Sequence, residues 1–433
     1  MVDSNILTAI KMLEDNGYEA YIVGGAVRDF LLDVEVSDYD IATNASLDEA
    51  TIVFKDYETK RYISKNMTIG VKINHTYFEL STYKGNNIEE DLLKRDFSVN
   101  SMAYHPILGL VDPYHGFRDL FNHELKTLRT PKETFEEDPI RILRAIRFVA
   151  EKNFKLNQEL KKGIDEYSYL LKNIKNERVS KEIDVILLTS KPSYYITEFK
   201  SVFYVLIPKL RECEGFNQKC PKWHNLDVLS HILKVLDSTK CDLVLRLAAL
   251  FHDICKVDVF FLDDKGVGHF YGHAEKSTLY AREILSKYCY NHKLIDRVCK
   301  IIYYHDYQID DNDNCALKLL YSFGIKDLDL YLGLRRADII GQNPNLYYRL
   351  DIIDSFQERI KKLLDTNRII TYKNLAIDGN ILKELGFEGE DIGLALEIIL
   401  KKVIKKELKN NPDKLYDFAA ELRFHLNEFK EQE

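Results

Sequence analysis

The sequence predicts an α/β domain at the N-terminus followed by a long all-α body. Short apolar or alternating runs such as "AYIVGG" and "DYDIAT" lie between helical stretches in residues 1–125, which is typical of an α/β domain. From "EDPIRILRAIRFVAE" onward, apolar residues recur with the period of a helix. The chain has 433 residues, which is enough for several domains of ordinary size.

The composition is that of an ordinary globular protein, with 45% hydrophobic and 30% charged residues. A net charge of −8 argues against nucleic-acid binding over the whole surface, but local basic patches stay open. No segment reaches the roughly 18 apolar residues of a membrane helix, and "MVDSNILTAIKMLEDNG" lacks the features of a signal peptide. The seven cysteines form no C-x-x-C pair, so we expect reduced thiols, a cytoplasmic location and no membrane partner.

The first candidate site lies in "YIVGGAVRDFLLDVEVSDYD". Asp38 and Asp40 are two apart on a predicted strand, so their carboxylates leave the same face and repel unless a proton or cation lies between them. Gly24 and Gly25 would let the backbone approach a phosphate, and Arg28 could reach the same anion. Together these residues predict a site for a nucleoside triphosphate bound with Mg²⁺. A D-x-D pair alone is common and more often belongs to a surface turn than to a catalytic site.

The full string G-G-x-V-R-D-x-L-L-x(5)-D-x-D resembles the head of class II tRNA nucleotidyltransferases, the CCA-adding enzymes, and of the related bacterial poly(A) polymerases. The resemblance implies an α/β nucleotidyltransferase (DNA polymerase β-like) head followed by an all-α neck, body and tail. It also implies that Asp38 and Asp40 are catalytic and hold two Mg²⁺ ions against the RNA 3′-hydroxyl and the triphosphate. Glu79, on a neighbouring predicted strand, is either a third carboxylate of this site or a solvated residue.

Further segments are similar to the family's later motifs in the same order. In "EEDLLKRDFSVNSMAY", Arg95 would contact the nucleotide, while Asp96 and Asn100 would organise the site. "DPYHGFRDL" resembles a hinge between head and neck, and "NERVSKEI" resembles the last motif, which braces the neck. Without the family, each segment is a polar turn or a charged helix face.

The segment "EEDPIRILRAIRFVAE" predicts a helix with Asp138 as its N-cap. Its periodicity alone indicates an amphipathic helix with basic surface residues. The resemblance assigns recognition of the base to Asp138 and Arg141, with Arg144 and Arg147 holding base or phosphate. A carboxylate beside a guanidinium can pair with the edge of cytosine or adenine, whereas guanine or uracil would place an acceptor against the carboxylate.

One departure from the family concerns the segment "KGNNI", which alone separates Tyr83 from Glu89. The CCA-adding members have a longer flexible loop here that helps the switch from C to A, and enzymes that add only two Cs lack it. The short segment therefore favours CC addition. Complete CCA addition stays open, because another segment could replace the loop.

The helical body contains the ordered series H…HD…H…HD. This series resembles the HD domain of metal-dependent phosphohydrolases, which some bacterial members of the family carry. The resemblance implies that a divalent or transition metal is bound by His231, His252, Asp253 and Asp306. His273 and His305 would support this site. Single histidines are more often core or surface residues, and an HD domain can also persist as a scaffold.

These motifs predict four domains: a head (1–125), a nucleotide-selecting neck (126–215), an HD-type body (216–365) and a tRNA-binding tail (366–433). In the tail, "KKVIKKELK" is either a basic face for tRNA phosphates or a solvated helix face. The leading hypothesis is a tRNA nucleotidyltransferase that extends the tRNA 3′ end from CTP, and from ATP if it adds CCA, without a nucleic-acid template. The alternatives are a poly(A) polymerase and an HD phosphohydrolase acting on nucleotides or RNA ends.

Overall fold

A computed structural model describes residues 2–36, 38–62, 68–174, 177–365, 374–404 and 407–430. The chain divides into two compact units, residues 1–212 with 283–291 and residues 213–282 with 292–433.

The first unit begins with a seven-stranded sheet whose spatial order is β3-β4-β5-β2-β1-β6-β7. The β2–β5 pair is parallel, and the other pairs of this sheet are antiparallel. The strands are β1 (Ala20–Val23), β2 (Tyr39–Thr43), β3 (Glu58–Tyr62), β4 (Thr68–Ile73), β5 (Thr76–Thr82), β6 (Ala103–His105) and β7 (Gly109–Val111). The segment "GVKINHTYFELSTY", read from the sequence as one alternating run, forms the β4–β5 hairpin instead, with Asn74 in the left-handed conformation at its turn.

The helices that accompany this sheet are α1 (Ser4–Asp15), α2 (Gly25–Leu31), α3 (Leu47–Val53), α4 (Ile88–Leu93) and α5 (Gly116–Phe121). Helix α4 packs on the sheet through Ile88 and Leu92, beside Val23 and Ala42. Full burial of a leucine side chain stabilises the fold by about 1.5–3 kcal/mol. This packing fixes the end of α4, and therefore the residues that follow it, over the centre of the sheet.

The rest of the first unit is mostly helical, apart from the two-residue parallel pair β8 (Glu124–Leu125) and β9 (Lys155–Leu156). Its helices are α6 (Pro131–Glu137), α7 (Ile140–Lys152), α8 (Gln158–Tyr167), α9 (Glu177–Leu187), α10 (Pro192–Glu198), α11 (Lys200–Leu206) and α12 (Lys209–Cys213). The prediction that Asp138 is the N-cap of α7 was wrong by one position. Asp138 ends α6, and Pro139 precedes the first helical residue of α7.

The second unit is a helical assembly with one short hairpin, β10 (Phe261–Leu262) and β11 (Gly268–His269). Its helices are α13 (Val228–Asp237), α14 (Leu243–Phe251), α15 (Lys256–Val259), α16 (His273–Lys287), α17 (His292–Tyr304), α18 (Asp313–Gly341), α19 (Arg349–Asp365), α20 (Gly379–Glu384), α21 (Glu390–Ile404) and α22 (Pro412–Lys430). Helix α14 is buried along most of its length, and it carries His252 and Asp253 at its end, inside the core.

The last three helices share a separate apolar cluster that includes Leu382, Ile399 and Leu415. The basic run "KKVIKKELK" lies at the end of α21 and continues through residues 405–406, which are outside the described residues. Its tRNA-binding role stays a prediction. Among the described residues, no helix is both long enough and apolar enough to span a membrane.

Candidate functional site

Two predicted carboxylates lie side by side at the centre of the head sheet. Asp40 is opposite Glu79 in the parallel β2–β5 ladder and opposite Val23 in the antiparallel β1–β2 ladder. Residues directly opposite each other in a ladder share one face of the sheet. The two carboxylates therefore leave the same face from neighbouring strands.

Asp38 is placed differently from the prediction. Strand β2 begins at Tyr39, so Asp38 precedes the strand and is exposed. Burial raises the pKa of Asp40 to about 6, with further contributions from Glu79 and Asp38, although Arg95 acts in the opposite direction. A carboxylate with that pKa and two acidic neighbours takes a proton or a cation. Asp40 and Glu79 line one cavity together, whereas Asp38 does not line it but lies close enough to raise the pKa of Asp40.

A cavity of about 380 Å³ opens over these carboxylates. Most of the predicted nucleotide-binding residues line it: Gly24, Gly25, Arg95, Asp138, Arg141 and Arg144. Lys84 and Arg178 also line it, so basic side chains face the carboxylates of Asp40 and Glu79. Clefts of a few hundred Å³ with convergent polar groups are typical of small-ligand sites.

Gly24 lies where β1 turns into α2 and has a φ of 69°. A Cβ atom at this position would lie 3.2 Å from Nη1 of Arg95 and 3.6 Å from Oδ2 of Asp40. The backbone conformation therefore favours glycine, and the small residue lets Arg95 and Asp40 lie close to the turn. Arg95 is held in place by Asp91, whose Oδ2 accepts from its Nη2 at 2.8 Å. Asp91 was not identified from the sequence, although its i,i+4 spacing from Arg95 is a usable signal.

Asp96 and Arg144 form a tight ion pair beside the cavity, with 2.8 Å from Nε of Arg144 to Oδ2 of Asp96. The other carboxylate oxygen of Asp96 accepts from Nδ2 of Asn100 at 2.9 Å. Burial opposes the ionisation of Asp96, but Arg144 and Asn100 outweigh it and lower the pKa of Asp96 to about 2. This arrangement agrees with the predicted organising role of Asp96 and Asn100.

Asp138 and Arg141 both reach the cavity from the junction of α6 and α7. Arg141 is buried and donates to Glu137 at 3.0 Å and to the backbone carbonyl of Lys94 at 2.9 Å. Asp138 accepts from Arg178 of α9 at 2.9 Å. A fixed carboxylate and a fixed guanidinium thus lie near each other in the wall of one cleft.

Arg28 and Arg147 do not line this cavity, contrary to the sequence prediction. They line a smaller one of about 260 Å³, together with Phe148. Arg28 donates to Asn100 at 2.8 Å and to Asp29, its neighbour in the chain, because the turn of α2 directs it away from the carboxylates. Arg147 pairs with Glu182 and Glu151, as its position further round α7 requires.

The short segment after Tyr83 is closed by local hydrogen bonds. Glu90 accepts from the backbone and the side chain of Asn86 at 2.8 and 3.0 Å, and Asn87 caps α4 by accepting from the Glu90 N–H at 2.9 Å. A Cβ atom on Gly85 would lie 2.4 Å from the Glu90 side chain. The segment is therefore a tight helix entry beside Lys84 rather than an extended loop.

The second unit contains a separate cluster of buried imidazole and carboxylate groups. One group consists of His231, His252, Asp253 and Asp338, and a second of Asp253, His273 and His305, with the candidate ligand atoms of each group within 4.8 Å of one another. Asp253 belongs to both groups. Its Oδ2 is 3.0 Å from Nε2 of His231, and its Oδ1 is 3.2 Å from Nε2 of His273.

The prediction that Asp306 is the fourth ligand does not agree with this geometry. Asp306 lines the adjacent cavity, but Oδ1 of Asp338 is the oxygen that lies 3.2 Å from Nε2 of His231. Asp338 is on α18, far along the chain, in a helix whose sequence carries no histidine that would mark it. His273 and His305, expected only to support the site, form its second group with Asp253.

The tautomers of three of these histidines are set by backbone carbonyls. Nδ1 lies 2.8 Å from the Ala249 carbonyl in His252, 2.8 Å from the Phe270 carbonyl in His273, and 2.6 Å from the Ile302 carbonyl in His305. A carbonyl only accepts, so Nδ1 carries the hydrogen and Nε2 of a neutral ring presents a lone pair.

The lone pairs of His273 and His305 face each other, with 3.1 Å between their Nε2 atoms, so this pair needs a proton or a cation between the two rings. Nε2 of His231 is 3.2 Å from Nε2 of His252, and no backbone carbonyl of the described residues fixes the tautomer of His231, so its Nε2–H can donate to His252. Burial opposes the charging of His231, but hydrogen bonds to Asp253 and Asp338 outweigh it and raise its pKa to about 9.

A cavity of about 390 Å³ borders this cluster. Its walls include three cationic side chains and two aromatic ones that the sequence did not single out: Lys256, Arg335, Arg349, Trp223 and Tyr271. Lys256 lies 2.6 Å from Oδ2 of Asp253. The cavity therefore combines a buried acid–imidazole floor with cations suited to a phosphate group.

The mixed sheet and its carboxylate-lined cavity fit the fold of a nucleotidyltransferase head of the DNA polymerase β type. Residues 20–126 match the family model "Poly A polymerase head domain", and residues 153–208 match "Probable RNA and SrmB-binding site of polymerase A". Residues 270–419 match the model of tRNA nucleotidyltransferase domain 2. Each of these models covers less than half of the chain, and together they show what its head, its neck and its second unit are similar to. The HD assignment stays a prediction.

Known proteins are similar to about half of this chain. The CCA-adding enzyme of Geobacillus sp. (strain WCH70) is 34% identical over 242 residues, 51% of this chain and 59% of the relative. The CC-adding tRNA nucleotidyltransferase of Halalkalibacterium halodurans is 34% identical over 204 residues, 47% of this chain and 53% of the relative. Both matches span little more than half of each relative's length.

The fold extends over nearly the whole chain of one solved relative. The structure of the Bacillus stearothermophilus CCA-adding enzyme in complex with CTP superposes with a TM-score of 0.64, covering 98% of both chains at 24% identity. The predicted fold class, an α/β nucleotidyltransferase head followed by helical domains, is confirmed.

Proposed function

We propose that the protein is a cytoplasmic tRNA nucleotidyltransferase that adds C to the 3′ end of tRNA from CTP, without a nucleic-acid template. The observation that supports this most strongly is the shared cavity. Asp40 and Glu79 line it together with the acid–guanidinium pair of Asp138 and Arg141. Transfer and base selection can therefore act on one bound nucleotide.

The donor set suits Mg²⁺. Two neighbouring carboxylates, one with a raised pKa, offer the hard oxygen ligands that this ion takes in proteins. Asp40 and Glu79 would hold it, and Asp38 at the edge of the site would complete the set for a second ion. Bound there, Mg²⁺ would lower the pKa of the RNA 3′-hydroxyl and neutralise charge on the triphosphate.

Side chains of the cavity would bind the triphosphate, select the base and fix the position of the nucleotide. Arg95, held by Asp91, faces the cavity beside Gly24 and would bind the triphosphate as a charge-assisted donor. Asp138 would accept from the amino group of cytosine, and Arg141 would donate to its ring acceptors. Arg144, held by Asp96, would fix the position of the nucleotide.

The capped segment after Tyr83 favours addition of two Cs over complete CCA. Three hydrogen bonds between Glu90 and the neighbouring Asn86 and Asn87 fix it at the cavity's edge. The family's CCA-adding members have a flexible loop here that helps the switch from C to A, and this segment is too short to form it. One relative is named a CC-adding enzyme.

The test is incubation of the protein with a tRNA that ends before the CCA sequence, with labelled CTP alone, ATP alone, or both. We expect two C residues from CTP and no A. A complete CCA end would contradict the argument from the short segment. A long A tail would identify a poly(A) polymerase, and no incorporation would overturn the proposal.

A second candidate function belongs to the second unit, where the paired imidazoles favour a metal-dependent phosphohydrolase. Their Nε2 atoms converge at 3.1–3.2 Å in two pairs around Asp253, and imidazole with carboxylate is a donor set for divalent transition metals. A bound cation would supply an activated water, and Lys256 would bind the phosphate of a nucleotide or an RNA end.

Metal content tests this second candidate independently of turnover. We expect the purified protein to bind Co²⁺ or Mn²⁺ with a stoichiometry that His252→Ala lowers, whereas His292→Ala, at an exposed position on α17, leaves it unchanged. Release of phosphate from 3′-CMP should follow the metal. Equal metal content in both variants would overturn the candidate.

A further inference from the structure

Helix α9 opposes the base-reading segment with complementary charges. Arg178 in its first turn lies 2.9 Å from Oδ2 of Asp138, and Glu182, one turn later, lies 3.3 Å from Nε of Arg147. Helix α9 supplies the cation of the first pair and the anion of the second. The two pairs therefore favour one rotation and register of α9 against Asp138 and α7.

The Asp138 carboxylate is held at both oxygens. Oδ2 accepts from Arg178, and Oδ1 accepts from the backbone N–H of Ile140 at 3.4 Å. About a third of the side chain stays exposed, toward the cavity that both residues line. A carboxylate offers about four acceptor positions, so two remain for a ligand.

We propose that Arg178 is a specificity-determining residue of the nucleotide cavity, acting through Asp138. By fixing the carboxylate, Arg178 presents an acceptor at one position to the incoming base. Cytosine and adenine place an amino donor there, whereas uracil and guanine place a carbonyl oxygen. Arg178 is a positioning residue, and the proposal rests on the nucleotidyltransferase function proposed above.

Without Arg178 the carboxylate would keep only the 3.4 Å contact with the Ile140 N–H, and it could rotate more easily about its terminal torsion, which has broad energy wells. Rotation would move the acceptor away from the amino group of cytosine and relieve its repulsion with the carbonyl of uracil. Loss of Arg178 should therefore lower kcat/KM for CTP and raise kcat/KM for UTP relative to that for CTP.

The test measures kcat/KM for addition of the first nucleotide to tRNA lacking CCA, with CTP and with UTP. We expect Arg178→Gln to lower the CTP/UTP ratio about tenfold, mainly through a higher KM for CTP. Lys181→Gln is the matched control, because Lys181 lies on the same helix, is 72% exposed and pairs with Glu177 instead. Its ratio should equal that of the wild type.

A double-mutant comparison shows whether Arg178 orients the Asp138 carboxylate or only stabilises the packing of the helices. In an Asp138→Asn background, Arg178→Gln should change the ratio no further, since the carboxylate is gone. An equal loss for both nucleotides, or an undiminished effect in that background, would show that Arg178 only braces the helices and would overturn the proposal.

The experiment distinguishes a failure of the proposed nucleotidyltransferase function from a failure of the proposed role of Arg178. Wild-type addition of C establishes the proposed function first, so a failure there concerns the function and not Arg178. If Arg178→Gln loses its circular-dichroism signature of folding, Arg178→Lys replaces it, because lysine keeps the charge but not the planar fork. A lowered ratio then supports the proposal, and a wild-type ratio contradicts it.

Discussion

Both units contain clustered carboxylates, and the two units neutralise them with different side chains. In the first unit, carboxylates face an open cavity whose counter-charges are arginines, several of them fixed by acids outside the reacting centre. In the second unit, Asp253 and Asp338 are almost fully buried, and their partners are imidazoles. Exposed oxygen donors suit Mg²⁺ with a phosphate ligand, whereas buried nitrogen and oxygen donors suit a transition metal. The comparison predicts that the two sites can be disabled separately.

The largest effect should follow removal of the central carboxylate in the head. Asp40→Asn should lower the rate of C addition by about a thousandfold or more, because the variant loses a ligand for the ion and a charge opposite Arg95. Asp48→Asn is the matched control, since Asp48 is in the same domain and its side chain is 82% exposed. Single-turnover extension of a tRNA lacking CCA measures both, and comparable rates would refute the role of Asp40.

The next effect concerns metal content in the second unit and tests the corrected ligand set. Asp338→Asn should lower bound Co²⁺ measured by inductively coupled plasma mass spectrometry, whereas Asp306→Asn should retain it, because Asp338 faces His231. Both variants should add C at rates within about twofold of the wild type, since neither residue is in the head. The reverse order of metal loss would restore Asp306 as the ligand.

Asp96 should show the largest effect on stability. Asp96→Ala leaves Arg144 without its partner and should cost about 2–4 kcal/mol in the free energy of unfolding by urea. Asp48→Asn, which removes an exposed pair with Arg61, should cost less than about 1 kcal/mol.

The same residue sets a pH window. The pKa of Asp96 is about 2 in the folded chain, below its ordinary value of 3.8. A lowered pKa contributes stability that is complete above pH 3.8 and is lost as the pH falls through 2. The difference in stability between wild type and Asp96→Asn should therefore be constant from pH 7 to 4 and shrink below pH 4. A difference that shrinks between pH 7 and 5 would contradict this assignment.

A smaller effect should appear in the Mg²⁺ requirement of the head. Burial and the neighbouring acids raise the pKa of Asp40 to about 6, so a proton competes with the ion below that pH. The Mg²⁺ concentration for half-maximal C addition should fall as the pH rises through 6 and then level off. Glu79→Gln removes one of the acidic neighbours and should move this transition to lower pH. A requirement that does not change between pH 5 and 8 would count against the shift.

The smallest effect separates the arginines that reach the cavity from those that do not. Arg147→Gln should raise the KM for CTP by no more than about threefold, because Arg147 pairs with Glu182 outside the cavity. Arg144→Gln should raise it by tenfold or more, since Arg144 lines the cavity beside Asp96. Equal effects would return Arg147 to the nucleotide site.

The sequence predicted most of the head site because its residues are close in the chain or lie in ordered motifs. The D-x-D pair that follows two glycines indicated an acidic centre at Asp38 and Asp40, and Glu79 was left open as a third carboxylate or a solvated residue. The sequence failed where the outcome depends on a one-residue boundary or on rotation about a helix. Asp38 precedes its strand, and Arg28 and Arg147 line a neighbouring cavity instead of the one that holds the carboxylates.

In the second unit, the histidines were recognisable as a series, but the last acid was not. Asp338 reaches His231 only through the packing of α18 against α13, which no local pattern reveals. The hydrogen bond from Arg178 to Asp138 likewise forms only because α9 packs beside the junction of α6 and α7. Such pairings depend on tertiary contacts, and the sequence alone cannot specify them.

The most direct test of the account is sequencing of tRNA 3′ ends after reaction with all four nucleoside triphosphates at equal concentrations. A tRNA lacking CCA should gain two C residues from the wild type, nothing from Asp40→Asn, and a mixture including U from Asp138→Ala. Indiscriminate extension by the wild type, or C addition by Asp40→Asn, would show that one cavity does not perform both transfer and selection.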